Sequence, residues 1–430
     1  MNIIKLKDIS SENLQLLFNR PLSNDSTLEN KVKDICLNIK NNGDAALRKY
    51  SLKFDSLDLD DFRVSPDEMI RASTQIEKIL MEAINSALKN IQKFHSLQFP
   101  TPDTIETSPG IFCHRELRSI ENVGLYVPGG SAPLVSTLLM LCVPATLAKC
   151  ERILICTPPD SSGDINPAIL YAAHLLGINE IYKIGGAQAI AAMAYGTESI
   201  PAVSKIFGPG NPYVTAAKIF VSTDSGGASI DFPAGPTELL IIADKFANPK
   251  LIAWDLAAQA EHGENSNVLL VTDSREIAEL VSEALTNLPL DNARKGIIYG
   301  CLEKSYAIIT NNIDEAIDFS NKYAPEHLSL HIKNPDSVCD KLKNVGTVFL
   351  GEFTPPAAGD YATGANHTLP TNGYAKSFSS LSVSDFQKFI TFQKIEEHGL
   401  EAVATTVTAL AEAESLHTHA DSIKARFNDV

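Results

Sequence analysis

From about residue 110 the chain keeps repeating one phrase: a short apolar run, a glycine- or proline-rich turn, then a helix-like stretch. VGLYVP leads through GGSAP into STLLMLCVPATLAKC, RILICTPP precedes AILYAAHLLG, and EIYKIGG runs into AQAIAAMAYG. A second set follows with TELLIIAD, SNVLLVTD, YAIITN, HLSLHI and TVFLG, several of them separated by helical patterns. Strand, turn, helix and strand at this rhythm require crossover connections, and crossovers build parallel sheets covered by helices. Two α/β units are expected. The first 100 residues read as helical and should pack on them, since Ser26–Tyr50 and Pro66–His95 carry apolar residues at helical spacing.

At 430 residues the chain exceeds what one simple core organises. Its 44% hydrophobic and 20% charged residues are those of a soluble globular protein. A formal charge of −16 argues against nucleic acid or an anionic membrane surface as a partner. The strongest apolar run, Leu134 to Ala148, is interrupted by Ser136, Thr137 and Pro144, so no membrane span is expected. The amino end, MNIIKLKDIS, has no apolar signal core, which makes the cytoplasm the expected compartment. Seven cysteines without a C-x-x-C pair point to core thiols, neither a disulfide framework nor a thiolate metal site.

Several residues invite a chemical reading. Asn248-Pro249 is a helix start and Gly263 a helix stop. On the helix between them Asp255, Gln259 and His262 follow at steps of four and three and share a face. Glu261 points about 160° away from Gln259. With alanine at 258, the metalloprotease H-E-x-x-H logic and its inverse are excluded. His262 then reads either as a ligand or as an ordinary cation ending a helix. Glu326-His327, entering HLSLHI after a proline, reads either as an acid–base pair at a turn or as a surface pair. Asp360 and His367 sit in the Gly-, Pro- and Thr-rich segment 351–385, expected to be loop, where a lone aspartate is often only a turn former. His417 and His419 are about 200° apart on a helix, so one of them at most faces a given site. GPGN at 208–211 begins like the dinucleotide fingerprint but lacks its third glycine, and GGAQ at 185–188 opens a helix after a strand and could present free amides to a phosphate; either could equally be a tight βα turn.

Taken together, NVGLYVPGGSAPL, IGGAQAIAA, KIFGPGNPYV, IDFPAGPTELLIIAD, DLAAQAEHG, KYAPEHLSL, AGDYATGANHTLPT, SSLSVSDFQK and TALAEAESL resemble the histidinol dehydrogenase family over nearly the whole chain. The resemblance implies two Rossmann-like, incompletely doubly wound parallel units with a helical N-terminal segment at 1–25 and a helical tail at 381–430. The first α/β domain would comprise 26–125 and 239–380, with metal and catalytic residues, and the second 126–238, with nucleotide contacts. It implies oxidation of L-histidinol through the aldehyde to L-histidine, with NAD and one Zn2+ per subunit, in a homodimer with shared sites. The implied metal ligands are Gln259, His262, Asp360 and His419, with Glu326 and His327 catalytic. Substrate would also meet Thr237, His367 and Glu414, and NAD would touch Tyr126, Gln188 and Asn211. One departure is noted: AGPTE carries threonine at 237 where serine is expected. A relative of the same fold oxidising another small polar alcohol, or a zinc hydrolase, are the alternatives.

Overall fold

The computed structural model describes residues 1–20, 26–59, 61–99, 103–129 and 133–427, which leaves most of the GGSAP turn (130–132), part of the expected N-terminal segment (21–25) and the last three residues outside it. The chain divides into two compact units, Met1–Gln98 with Ile120–Phe386, and Phe99–Ser119 with Gln387–Val430.

The larger unit holds two wholly parallel sheets. One contains β4 (Asn122–Tyr126), β5 (Arg152–Thr157), β6 (Glu180–Lys183), β7 (Lys205–Phe207) and β8 (Ser229–Ile230) in the order β6-β5-β4-β7-β8. The other contains β1 (Asn2–Lys5), β9 (Glu238–Ala243), β10 (Asn267–Thr272), β11 (Tyr306–Ile309), β12 (His327–His331) and β13 (Thr347–Leu350) in the order β1-β11-β10-β9-β12-β13. Every residue of β9 and β12 is buried, as expected for central strands covered on both faces. The five-stranded order reverses direction between β4 and β7, and the six-stranded order, leaving aside the edge strand β1, between β9 and β12. Such a reversal opens a crevice at the sheet edge, because successive crossovers leave it on opposite sides.

The smaller unit carries an antiparallel sheet, in which β3 (Ile111–Ser119) lies between β2 (Thr104–Ser108) and β14 (Gln387–Ile395). The helices Glu397–Ala413 and His417–Lys424 follow. Two expectations of helix are thus corrected. The N-terminal segment begins as an edge strand paired in register with β11, Asn2 opposite Tyr306, before the helix Ser11–Asn19. Four residues are too few to show a period, and the long-range pairing decides. The tail becomes helical only at Glu397, because Phe389, Ile390, Thr391 and Phe392 are aromatic or β-branched and extend against β3. The segment expected as loop also contains a short helix, Pro356–Tyr361, that carries Asp360. Among the described residues no helix is long and apolar enough to cross a membrane.

Candidate active site and nucleotide pocket

The first cluster forms where β9 and β12 begin, at the N-terminal edge of the six-stranded sheet. Helix Ile313–Tyr323 stops at Ala324, which takes a left-handed conformation (φ 53°), and Pro325 turns the chain into Glu326 and β12. His327 pairs with Leu239 in register, which sets Glu326 beside Thr237 and Glu238. The Thr237 hydroxyl donates to Glu326 Oε2 at 2.6 Å, and the Glu238 backbone N–H donates to the same oxygen at 2.7 Å. Since the hydroxyl proton is used there, Thr237 accepts from Gln259, whose Nε2 amide donates to it. That fixes the amide of the buried Gln259 and turns its carbonyl oxygen away from Thr237, free to ligate.

His327 is buried beside this chain. Its Nδ1 lies 2.9 Å from the Glu238 carbonyl, which can only accept, so Nδ1 carries the proton and Nε2 is the basic nitrogen of the neutral ring. Nε2 is buried without a hydrogen-bond partner and lies 3.8 Å from Asp360 Oδ1. Burial opposes charge on this ring, but the carboxylates of Glu326 and Asp360 outweigh it and carry its pKa up to about 9. Phe349 stacks along the ring at 5.9 Å between centroids. His367 keeps the same tautomer but its pKa shifts the opposite way. Its Nδ1 donates to the Asp360 carbonyl at 2.9 Å, its Nε2 accepts from the Thr137 hydroxyl at 3.2 Å, and burial lowers its pKa. Both ring nitrogens are thus occupied, and a substrate contact at His367 has to displace Thr137.

Gln259, Thr237, Glu326, His327, Asp360 and His367 are therefore brought together in one connected network. His262 is exposed one turn-end beyond Gln259 and shares with Thr237 the lining of a cleft of about 1240 Å³. The third residue of its helical face, Asp255, is not free: its Oδ2 meets buried His331 Nε2 at 3.2 Å, which ties the Gln259 helix to the end of β12. Tyr361 feels the charges of both Asp360 and Glu261, so the Asp360 helix lies within electrostatic reach of the end of that same helix. Among the described residues no group of three or more His, Cys, Asp or Glu converges as a metal cluster. The donors still suit a divalent cation such as zinc: an oriented amide oxygen, an exposed imidazole and a carboxylate aimed at an unpartnered ring nitrogen. Glu414 and His419 belong to the smaller unit, where both are exposed, the former just after helix Glu397–Ala413 and the latter within His417–Lys424.

A second cavity, of about 1010 Å³, lies at the C-terminal edge of the five-stranded sheet and is lined by Tyr126, Gln188 and Asn211. Tyr126 ends β4 and Asn211 follows β7, so both stand at the reversal of strand order where α/β sheets bind nucleotides. The Tyr126 hydroxyl accepts the Gly186 N–H at 3.0 Å, and burial pushes its pKa to about 12. Gly208 has φ +124°, and a Cβ there would lie 2.2 Å from the Tyr126 carbonyl oxygen, so only glycine fits the GPGN turn. Asn211 Oδ1 accepts from Val214 N–H at 3.1 Å as the cap of helix Pro212–Thr223. Asn211 also lines the His262 cleft, so the two cavities meet at this residue. Sequence reasoning passed over Glu238 and the Asp255–His331 pair. An acid opening the otherwise apolar run ELLIIA was the available signal for the first; the second spans 76 residues and left none.

Residues 18–427 match the family model described as histidinol dehydrogenase. The chain is 44% identical over 427 residues to the histidinol dehydrogenase of Salmonella typhi, covering 99% of this chain and 98% of that one. It is likewise 44% identical over 414 residues to that of Escherichia coli K12, covering 96% and 94%. The crystal structure of histidinol dehydrogenase from Elizabethkingia anophelis superposes with a TM-score of 0.93 at 47% identity, covering 99% of this chain and 98% of that one.

Proposed function

The chain belongs to the histidinol dehydrogenase family of oxidoreductases, and from that premise we propose that it oxidises L-histidinol to L-histidine through the aldehyde, as a cytoplasmic, NAD- and zinc-dependent enzyme. The observation that carries the reading is His327: its tautomer is fixed by the Glu238 carbonyl and its one unpaired nitrogen lies beside Asp360. In the first step Nε2 of neutral His327 takes the alcohol proton while the carbinol hydrogen departs as hydride. NAD, when bound, would supply the hydride acceptor, and Asn211 lines both cavities. Glu326 activates water for addition to the aldehyde, and His327 then takes a proton from the hydrate as the second hydride leaves. The balance is one alcohol, one water and two NAD giving carboxylate, two NADH and three protons.

Gln259, His262, Asp360 and His419 would hold the cation, which supplies a template that orients the substrate's imidazole and amine. Thr237 braces Gln259 and Glu326, while His367 and Glu414 contact substrate. Tyr126, Gln188 and Asn211 bind NAD. The working unit is a homodimer in which Glu414 and His419 of one copy complete the site of the other. The test is stoichiometric: L-histidinol supplied in limiting amount should yield close to two NADH per molecule. A yield of one, or turnover only with unrelated alcohols, would point to a same-fold dehydrogenase of another small polar alcohol.

A further inference from the structure

Glu238 touches the Glu326–His327 pair with three of its groups. Its N–H donates to Glu326 Oε2 at 2.7 Å, its carbonyl accepts from His327 Nδ1 at 2.9 Å, and its own Oε2 accepts the Glu326 N–H at 3.3 Å. The two glutamates are thus clasped reciprocally, each carboxylate on the other's amide. The Glu238 side chain is fully buried, and burial, reinforced by the neighbouring Glu326 and opposed by Arg20, carries its pKa up to about 7. Its other oxygen, Oε1, accepts from Asn372 N–H at 2.9 Å and faces Arg20 Nε at 3.3 Å. Arg20 is itself anchored, lying 3.6 Å over the Tyr323 ring and donating from Nη2 to the Tyr323 carbonyl at 2.7 Å, on the helix that delivers Glu326.

A buried acid is an expensive way to join two strands, since an apolar side chain would serve packing better. What an acid adds is direction. It holds the Glu326 amide, and with it the turn that aims Glu326 at Thr237 and the His327 ring at the Glu238 carbonyl.

We propose that Glu238, held by Arg20, is a positioning residue that sets the orientation of both Glu326 and His327 through this reciprocal clasp. The inference rests on the proposed roles of Glu326 and His327. Glu238 is fully buried and lines neither of the two cavities.

The experiment compares Glu238→Gln, Glu326→Gln, His327→Asn and the double variant Arg20→Met/Glu238→Gln. Each is assayed for kcat and KM with L-histidinol and with the aldehyde, for zinc content and for thermal midpoint. A displacement of about 1 Å at a reacting group can cost on the order of 100-fold in rate. Glu238→Gln should therefore lose roughly that factor in kcat for aldehyde oxidation, with KM and zinc content close to wild type. The double variant leaves no uncompensated buried charge, so it should regain thermal midpoint without regaining kcat. It also carries the comparison if Glu238→Gln alone is too unstable to purify. Wild-type kcat in Glu238→Gln, or kcat returning together with stability in the double variant, overturns the proposal. If Glu326→Gln and His327→Asn both remain fully active, the assignment of those two residues fails instead, and the two failures are distinguishable.

Discussion

Replacing Thr237 by valine keeps the shape and deletes one oxygen, which makes it a clean probe of the hydrogen-bond chain. The hydroxyl donates to Glu326 Oε2 at 2.6 Å and accepts from Gln259 Nε2. Loss of a hydrogen bond to a charged group costs about 1.5–3 kcal/mol, and leaving the buried Gln259 amide unpaired adds about 1–3 kcal/mol. Thr237 is only half-buried, so water recovers part of this and a loss of about 3 kcal/mol is expected. Thr237→Ser keeps the oxygen and gives up a methyl, at most about 0.8 kcal/mol. Urea unfolding of the metal-free protein followed by fluorescence measures both, with the m value as a check that the unfolded state has not changed. The two variants should differ by about 2 kcal/mol in stability. Equal stability of the valine and serine variants would refute the chain Gln259–Thr237–Glu326, and with it the argument that the Gln259 carbonyl oxygen is free for a cation.

Further outcomes follow from the same geometry. His327→Asn should abolish the first oxidation, by on the order of 10²–10⁴-fold, with zinc content unchanged, whereas Glu326→Gln should slow mainly oxidation of supplied aldehyde. In the metal-free protein the His327 imidazole should titrate near 9, so that the neutral base appears only as pH rises through that value. Asp360→Asn removes one of the carboxylates that raise it and should lower the pKa; an NMR titration placing wild-type His327 near the ordinary ~6.5 would contradict this. Buried Lys218 pairs with buried Asp231 and donates to the Gly208 carbonyl at 2.8 Å, while Asp231 accepts the Gly208 N–H at 2.8 Å. Lys218→Met strands Asp231, so it should cost about 3–5 kcal/mol in unfolding experiments and raise KM for NAD through the GPGN turn.

The parallel α/β architecture was legible because buried stretches such as Leu239–Ala243 in β9 and Val268–Val271 in β10 are continuous apolar runs bounded by turns. The helical period expects Gln259 and His262 on one face, a local matter of 100° per residue, whereas the helix ends at Ala260 and His262 lies in the turn after it. Residues 76 and 89 apart in the chain are another matter: the Asp255–His331 contact comes from a helix packing on the sheet and Thr237–Glu326 from sheet register, and no short-range pattern points to either. The cavity proposed for NAD was obscured because its turns lack the full glycine fingerprint. Its position follows instead from the reversal of strand order between β4 and β7, a property of topology. In β14 the aromatic and β-branched run outweighed the helical texture of the residues after it.

The account depends above all on one cation uniting Gln259, His262, Asp360 and His419. Anomalous diffraction at the zinc edge, from crystals of the zinc-loaded protein grown with L-histidinol, tests this directly. A single strong peak is predicted at about 2.0–2.2 Å from the Gln259 carbonyl oxygen, an Asp360 carboxylate oxygen and one nitrogen each of His262 and His419. A peak on other residues, or one that Gln259 and Asp360 do not touch, would contradict it.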